Sequence, residues 1–285
     1  MGRYINPFTD IGFKIVFGQE ASKPLLLNFL NSLLKGAEQI VDITYSDKEQ
    51  VTYNEEDRTL IYDVLCTTST GEKIIVEMQN KKQTYFKKRS ILYVSRAISQ
   101  QGEGLKDWNY NIKAVYFVAF MNFHLDDMPD FRTDVVLMDT KHKRPFSYDI
   151  RMTFLQLPLF NKKKEECKTL FDRLIYIFKN MSKLDQFPWT INNPVFREWE
   201  DRSRVANLKG GLRDQYERAL KHYRDAYSIY ETATEEGRAE GIAQGIAQGE
   251  RSKSIDIAQK LKAMNMSIEQ IIEATGLTAD EIAEI

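Results

Sequence analysis

The stretch Leu60–Gln79, LIYDVLCTTSTGEKIIVEMQ, constrains this chain more than any other. Two β-prone apolar runs, Leu60–Cys66 and Lys73–Gln79, flank Thr68-Ser69-Thr70-Gly71, which has turn chemistry, with Gly71 free to take positive φ. That pattern predicts a β-hairpin. Its anomaly is acid inside the strands: Asp63 in the first run and Glu77 near the end of the second. Side chains alternate along a strand, so Glu77 and Gln79 share a face. Pairing of the two strands brings Asp63 towards them. Converging carboxylates on an apolar sheet repel each other and lose hydration, and a bound divalent cation is one good reason to tolerate that. The plainer alternative leaves both acids solvated on an open sheet face.

Around the hairpin, the N-terminal run has Thr9 as an N-cap before a helix over 10–17, ended by Gly18. A second helix, Leu25 to Leu34, starts behind Pro24 and closes at Gly36. Ile40–Tyr45 and Lys48–Tyr53 alternate like strands, and Asn54–Asp57 is a polar turn. A helix follows over Phe86–Gln101, ended by Gly102 and Gly104. Ile112–Phe120 is a short, nearly continuous apolar run, read as a buried strand. Arg132–Asp139 and Ser147–Leu157 add two more strands. Strands on both sides of a helical crossover predict an α/β fold, a mixed sheet flanked by helices.

From Lys163 the period turns helical, first over 163–181 and again over 214–232, where Tyr216, Leu220, Tyr223, Tyr227 and Tyr230 form a stripe read as core packing. Gly237, Gly241, Gly245 and Gly249 then recur every four residues. Each costs a helix ~1 kcal/mol relative to alanine, so the repeat is a tether or a helix held by a partner. Ser252 or Ser254 suits the N-cap of a helix over 255–263. Ser267–Gln270 and Thr278–Glu281 are capping boxes with Gly276 as a C-cap between them, a small helix–turn–helix-like tail. The expected division is 1–232 (core about 4–160, helical extension 161–232), then a glycine-repeat linker and tail over 233–285.

Length and composition permit a sizeable core: 285 residues, 42% apolar and 12% aromatic. A net charge of −1 gives no whole-molecule attraction to nucleic acid, so any such site must be a local patch. Cys66 and Cys167 form no disulfide framework and fit a reducing cytoplasm. No signal segment opens the chain, and no apolar run approaches the ~20 residues that span a bilayer. His124, His142 and His222 lack metal-ligand spacing.

Asp63, a turn, then Glu77-x-Gln79 resembles the PD-(D/E)xK nuclease pattern in its Glu-x-Gln variant. Asn6-Pro7-Phe8-Thr9-Asp10-Ile11-Gly12-Phe13-Lys14, Leu30-Asn31, Arg89-Ser90-Ile91-Leu92-Tyr93 and the closing Thr275-Gly276-Leu277 narrow the resemblance to the Rpn (recombination-promoting nuclease) family, which also carries a transposase label. The resemblance implies a restriction-endonuclease-like core with a helical C-terminal tail. It also implies a metal-dependent DNA endonuclease linked to recombination or mobile elements. Asp63 and Glu77 would bind Mg²⁺ or Mn²⁺ together with the main-chain carbonyl of Met78. Gln79 departs from the usual lysine and can only orient water or phosphate, which leaves the cation open between Lys81, if the strand continues, and Lys14. Asp10 is either a further carboxylate of the site or a favourable helix-terminal charge. Lys81, Lys82, Lys87, Lys88 and Arg89, with Tyr93, Arg96 and Gln100 on later turns, are the expected DNA contacts. The competing readings are a solvated charge run and, for Tyr93, core packing. The expected partners are DNA and, through the tail, further copies of the chain. The missing lysine also motivates a rival: a catalytically weak or inactive nuclease-like fold that binds DNA or protein.

Overall fold

The computed structural model describes residues 2–34, 39–46, 49–50, 60–102, 109–125 and 127–285. The expectations for Gly36, for most of Lys48–Tyr53, for Asn54–Asp57 and for Gly104 lie outside those residues. Two compact units form, residues up to Tyr223 and Arg224–Ile285.

The first unit is built on six strands: β1 (Ile43–Tyr45), β4 (Val64–Thr68), β5 (Lys73–Gln79), β6 (Val115–Met121), β7 (Arg132–Asp139) and β8 (Arg144–Gln156), in the order β1-β4-β5-β6-β8-β7. The pairs β5–β6 and β6–β8 are parallel and the rest antiparallel, so the sheet is mixed as expected. The apolar runs of β5 and β6 become the buried central strands, because both of their faces are covered. The predicted first strand of the hairpin is split. Leu60–Ile61 (β3) pairs with Glu49–Gln50 (β2) in a separate ladder, and the chain bends at Asp63 before β4 begins. Gly71 closes the β4–β5 turn at φ 98°.

One face of the sheet is packed by α1 (Asp10–Phe17), α2 (Lys23–Leu33), α4 (Leu170–Asn180), α5 (Pro194–Ser203) and the start of α6 (Gly211–Ala263). Phe13, Phe17, Phe29, Phe120 and Phe178 interlock there at centroid separations of 4.7–6.1 Å. The other face carries α3 (Phe86–Ser99), which buries Phe86, Tyr93, Val94 and Ala97 against Leu65, Ile75, Phe117 and Phe154. The helix expected over 163–181 starts only at Leu170, where Thr169 and Asp172 form a reciprocal capping box.

In the second unit, α6 runs unbroken through the glycine repeat and past Ser252 and Ser254, so neither serine caps a new helix. Tyr216 and Leu220 are buried, as a core-packing stripe requires, but Tyr227 and Tyr230 on the same stripe are exposed. α7 (Ile268–Thr275) and α8 (Ala279–Glu284) start at the two predicted capping boxes, with Gly276 left-handed between them. They enclose a small core of Ala258, Ile271, Leu277 and Ile282. Ser267–Ile285 contains five acidic residues and no lysine or arginine, a composition unsuited to reading DNA. Among the described residues, no helix is long and apolar enough to cross a membrane.

Candidate functional site

The bend after Ile61 takes Asp63 out of the regular ladder, with Val64 already paired to Val76. Its backbone N–H is thereby free to donate to Glu77 Oε1 at 3.1 Å, while its Oδ2 accepts from the Met78 N–H at 2.8 Å. The two acids are tied crosswise between strand ends, and the expected convergence is present. Gln79 Nε2 donates to Glu77 Oε2 at 3.3 Å. On the next strand Ala119, the smallest residue of β6, sits beside Glu77.

Glu77 is only 3% exposed, at the end of the apolar layer under α3. Burial, and then the Asp63 charge, push its carboxyl up to about 8, against the pull of the Asp63 N–H, Arg89 and Gln79. Burial also raises Asp63. There the charge of Asp10 adds to the rise, and the Met78 N–H, Lys14 and Arg89 oppose it. Asp10 and Lys14, one turn apart on α1, therefore both lie within electrostatic reach of Asp63.

Arg89 is turned inward, with one nitrogen 3.8 Å from Glu77 Oε2 and another donating to Gln83 Oε1 at 2.8 Å. Its guanidinium lies over the Phe86 and Tyr93 rings, at 5.7 and 5.5 Å. Arg89 is thus a neighbour of the carboxylates, more than the outward phosphate contact expected of it. The Tyr93 ring is core, stacked edge-on against Tyr62, while the charges of Glu77 and Asp63 act on its hydroxyl. Arg96, one turn on, acts on Tyr62.

Three expectations change. β5 ends at Gln79 and the chain bends at Lys81, so Lys81 does not continue the strand face of Gln79; it is exposed, as is Lys82. Lys87 is paired with Asp127, whereas Lys88 is exposed and stacked over the Tyr85 ring at 5.5 Å. Gln100 caps the far end of α3, about 16 Å along the axis from Arg89 by helix rise. Its neighbour Gln101 binds Lys113 at the opposite end of the sheet, so Gln100 does not join the site.

The sequence points to the Thr9 cap of α1 but not to the close packing and the clamp that fix this turn to the sheet. Thr9 Oγ1 caps the helix by accepting from Gly12 N, and it donates to Asn6 O. Gly12 packs so closely on that turn that a Cβ would stand 2.0 Å from Asn6 O. Asn80, directly after Gln79, donates to Phe8 O and so clamps this turn to the end of β5. A glycine inside a helical pattern was the available signal.

Among the described residues no cluster of three or more His, Cys, Asp or Glu side chains is poised to hold a metal. The side-chain donors brought together are two carboxylates, Asp63 and Glu77, a set that fits a hard divalent ion that keeps waters of its own.

A mixed sheet flanked by helices, with an Asp and a Glu-x-Gln brought together at one end, defines an α/β, restriction-endonuclease-like protein. The chain belongs to the PD-(D/E)XK nuclease family transposases, whose family model matches residues 7–233. That span holds α1, Asp63, Glu77, Gln79 and Arg89 and ends before the glycine repeat. Nucleases of this family typically use divalent metal ions. No curated protein and no solved structure matches the chain.

Proposed function

We propose that this chain is a metal-dependent endodeoxyribonuclease that hydrolyses phosphodiester bonds in the service of DNA recombination or mobile elements. Asp63, Glu77 and the Met78 carbonyl would hold Mg²⁺ or Mn²⁺. A metal held there would supply a lowered pKa for an attacking water and neutralise charge on the phosphate. Gln79, kept beside Glu77 by its own hydrogen bond, orients water or phosphate through its amide. Arg89 offers the positive charge that the motif's lysine otherwise brings, and its stacking on Phe86 and Tyr93 holds it in place. Lys14 offers a second positive charge from α1, and Asp10 tempers it. Lys81, Lys82 and Lys88 hold the DNA backbone beyond the site.

The observation that carries this reading is the crosswise pair of Asp63 and Glu77, Glu77 buried and Asp63 half-buried where a strand end should be apolar. The test is nicking of supercoiled plasmid with Mg²⁺, Mn²⁺ or chelator, wild type beside Glu77→Ala. Cleavage lost with chelator and in the variant supports the nuclease and its site together. Equal cleavage by both proteins refutes the site.

Gln79 in the lysine position favours a second reading, a DNA- or protein-binding module without turnover. Metal-independent DNA binding by a wild type that cleaves nothing under any divalent ion would establish it.

A further inference from the structure

The outer hairpin of the sheet does more than complete it. β6 ends its pairing with β8 at Ile150, so the stretch Arg144–Asp149 is held by β7 alone, through Arg144, Pro145 and Ser147, and projects as a two-stranded ribbon. Register shifts at Val136/Leu137 and Leu137/Met138 mark its base. The ribbon displays Lys141, His142, Lys143 and Arg144 at its tip, with Phe146 80% and Tyr148 55% exposed on the strand behind. Arg151 lies over the Tyr148 and Tyr116 rings, at 4.9 and 5.4 Å, and anchors the stem.

The tip has a built turn. Asp139 Oδ1 accepts from the backbone N–H of Lys141 and of His142, at 3.0 and 3.2 Å. Its Oδ2 bonds His142 Nδ1 at 2.5 Å and lies 3.8 Å from Arg144 Nε. The one acid of the tip is thus engaged inside the turn. Among the described residues Lys141 and Lys143 enter no ion pair. Lys143 also sits at φ 54°, left-handed backbone where glycine or asparagine is the unstrained choice. A lysine kept at that position, in a chain of net charge −1, concentrates positive charge on a projecting arm.

We infer that this ribbon is a DNA-gripping arm, and that its partner is the polyanionic flank of a duplex. The inference rests on the nuclease reading above. A two-stranded ribbon fits the major groove, lysine and arginine contact phosphates, and Phe146 meets an apolar base edge or a thymine methyl. Gln156, beside the site end of the sheet, and Arg144 lie twelve residues apart on β8. At strand rise that is up to about 40 Å, or about twelve base pairs of duplex. The arm therefore grips DNA roughly one helical turn from the bond to be cut.

The test is fluorescence anisotropy of the full chain in chelator, so that nothing is cleaved, with a 40-base-pair and a 12-base-pair duplex at several salt concentrations. The variants are Lys141→Ser/Lys143→Gly/Arg144→Ser and, singly, Phe146→Ser and Lys143→Gly. The triple variant is expected to bind the long duplex about tenfold more weakly, with a log K against log salt slope reduced by roughly 2–3, near 0.9 for each phosphate no longer neutralised. It should bind the short duplex as wild type does. Lys143→Gly relieves strain, so its thermal midpoint holds or rises while its affinity for the long duplex falls. Wild-type binding that the variants leave unchanged overturns the arm and leaves the nuclease reading standing. A variant that changes the oligomeric state on size exclusion, with DNA binding intact, overturns it in favour of a protein-binding surface. A wild type that neither binds nor cuts DNA overturns both.

Discussion

Two stretches of this molecule break the ordinary rules of folding in opposite ways. At the end of β5, acid is buried: Glu77 lies inside an apolar layer, tied to the half-buried Asp63. Along α6, apolar and flexible residues are exposed: Ile242 and Ile246 stand in solvent between glycines that meet nothing within 4 Å. The first is tied down from every side, by the Met78 N–H, Gln79, Arg89 and the Asn80 clamp. The second has backbone hydrogen bonds and little else. Sequences keep such violations where something outside the chain resolves them. In the proposed function a cation would resolve the first, and the second would be resolved by another protein surface. We propose a further copy of this chain there. Truncation after Thr232 is expected to lower the oligomeric state in solution, and an unchanged state would refute it.

The sharpest way to break the tied-down region is through Gly12. A methyl group there meets the Asn6 carbonyl, which is backbone and cannot swing aside. Gly12→Ala is expected to cost about 3 kcal/mol or more in chemical denaturation. The same change at Gly241 should cost nothing, and that contrast separates close approach from mere helical glycine.

Arg89 comes next. Arg89→Gln is expected to lower kcat about 100-fold with little change in stability, the size of effect seen when one fixed electrostatic donor is lost. Arg89→Lys should recover part of it. A loss confined to KM would instead make Arg89 a DNA contact.

Glu77 tests the buried charge itself. Its folded pKa, about 8, lies above the unfolded value of 4.5. The stability it contributes is therefore full below about pH 4.5 and is lost as pH rises through 8. Metal-free protein should lose on the order of a few kcal/mol over that interval by thermal denaturation. Divalent ions should restore most at the alkaline end, since they bind the ionised form. Glu77→Gln should flatten the pH curve, raise the metal-free midpoint at pH 8 and abolish the response to metal. A metal response surviving in that variant would place the ion elsewhere.

Much of the fold is legible in the sequence. The β4–β5 turn at Gly71, the Thr9 cap, both C-terminal capping boxes and the Gly276 terminus follow from chemistry confined to four or five neighbouring residues. The meeting of Asp63 and Glu77 follows from strand alternation plus one hairpin. What was not legible depends on partners distant in sequence. Whether Arg89 faces in or out depends on where Glu77 and the Tyr93 ring lie. Tyr216 is buried and Tyr227 is not, a difference that periodicity along the helix does not encode. Lys81 left the face of Gln79 because β5 stops at Gln79, where a strand end is set by pairing more than by composition. Gly12 announced itself only as a cost without a visible cause, and the cause was Asn6, six residues away.

The smallest effect belongs to the exposed region and decides what its glycines are for. In solvent each helical glycine costs ~1 kcal/mol against alanine. Gly241→Ala and Gly245→Ala are therefore each expected to stabilise the helix by slightly less than that, read as slower amide hydrogen exchange across 237–249 in the full chain. If the glycines serve close approach of a second backbone, the same substitutions must weaken self-association while they strengthen the helix, because the added methyl groups hold the two helices apart. Stronger protection with an unchanged oligomeric state would leave the repeat a semi-rigid spacer. Stronger protection with a weakened oligomer would mean that α6, like the end of β5, retains an unfavourable local choice for the sake of what binds there.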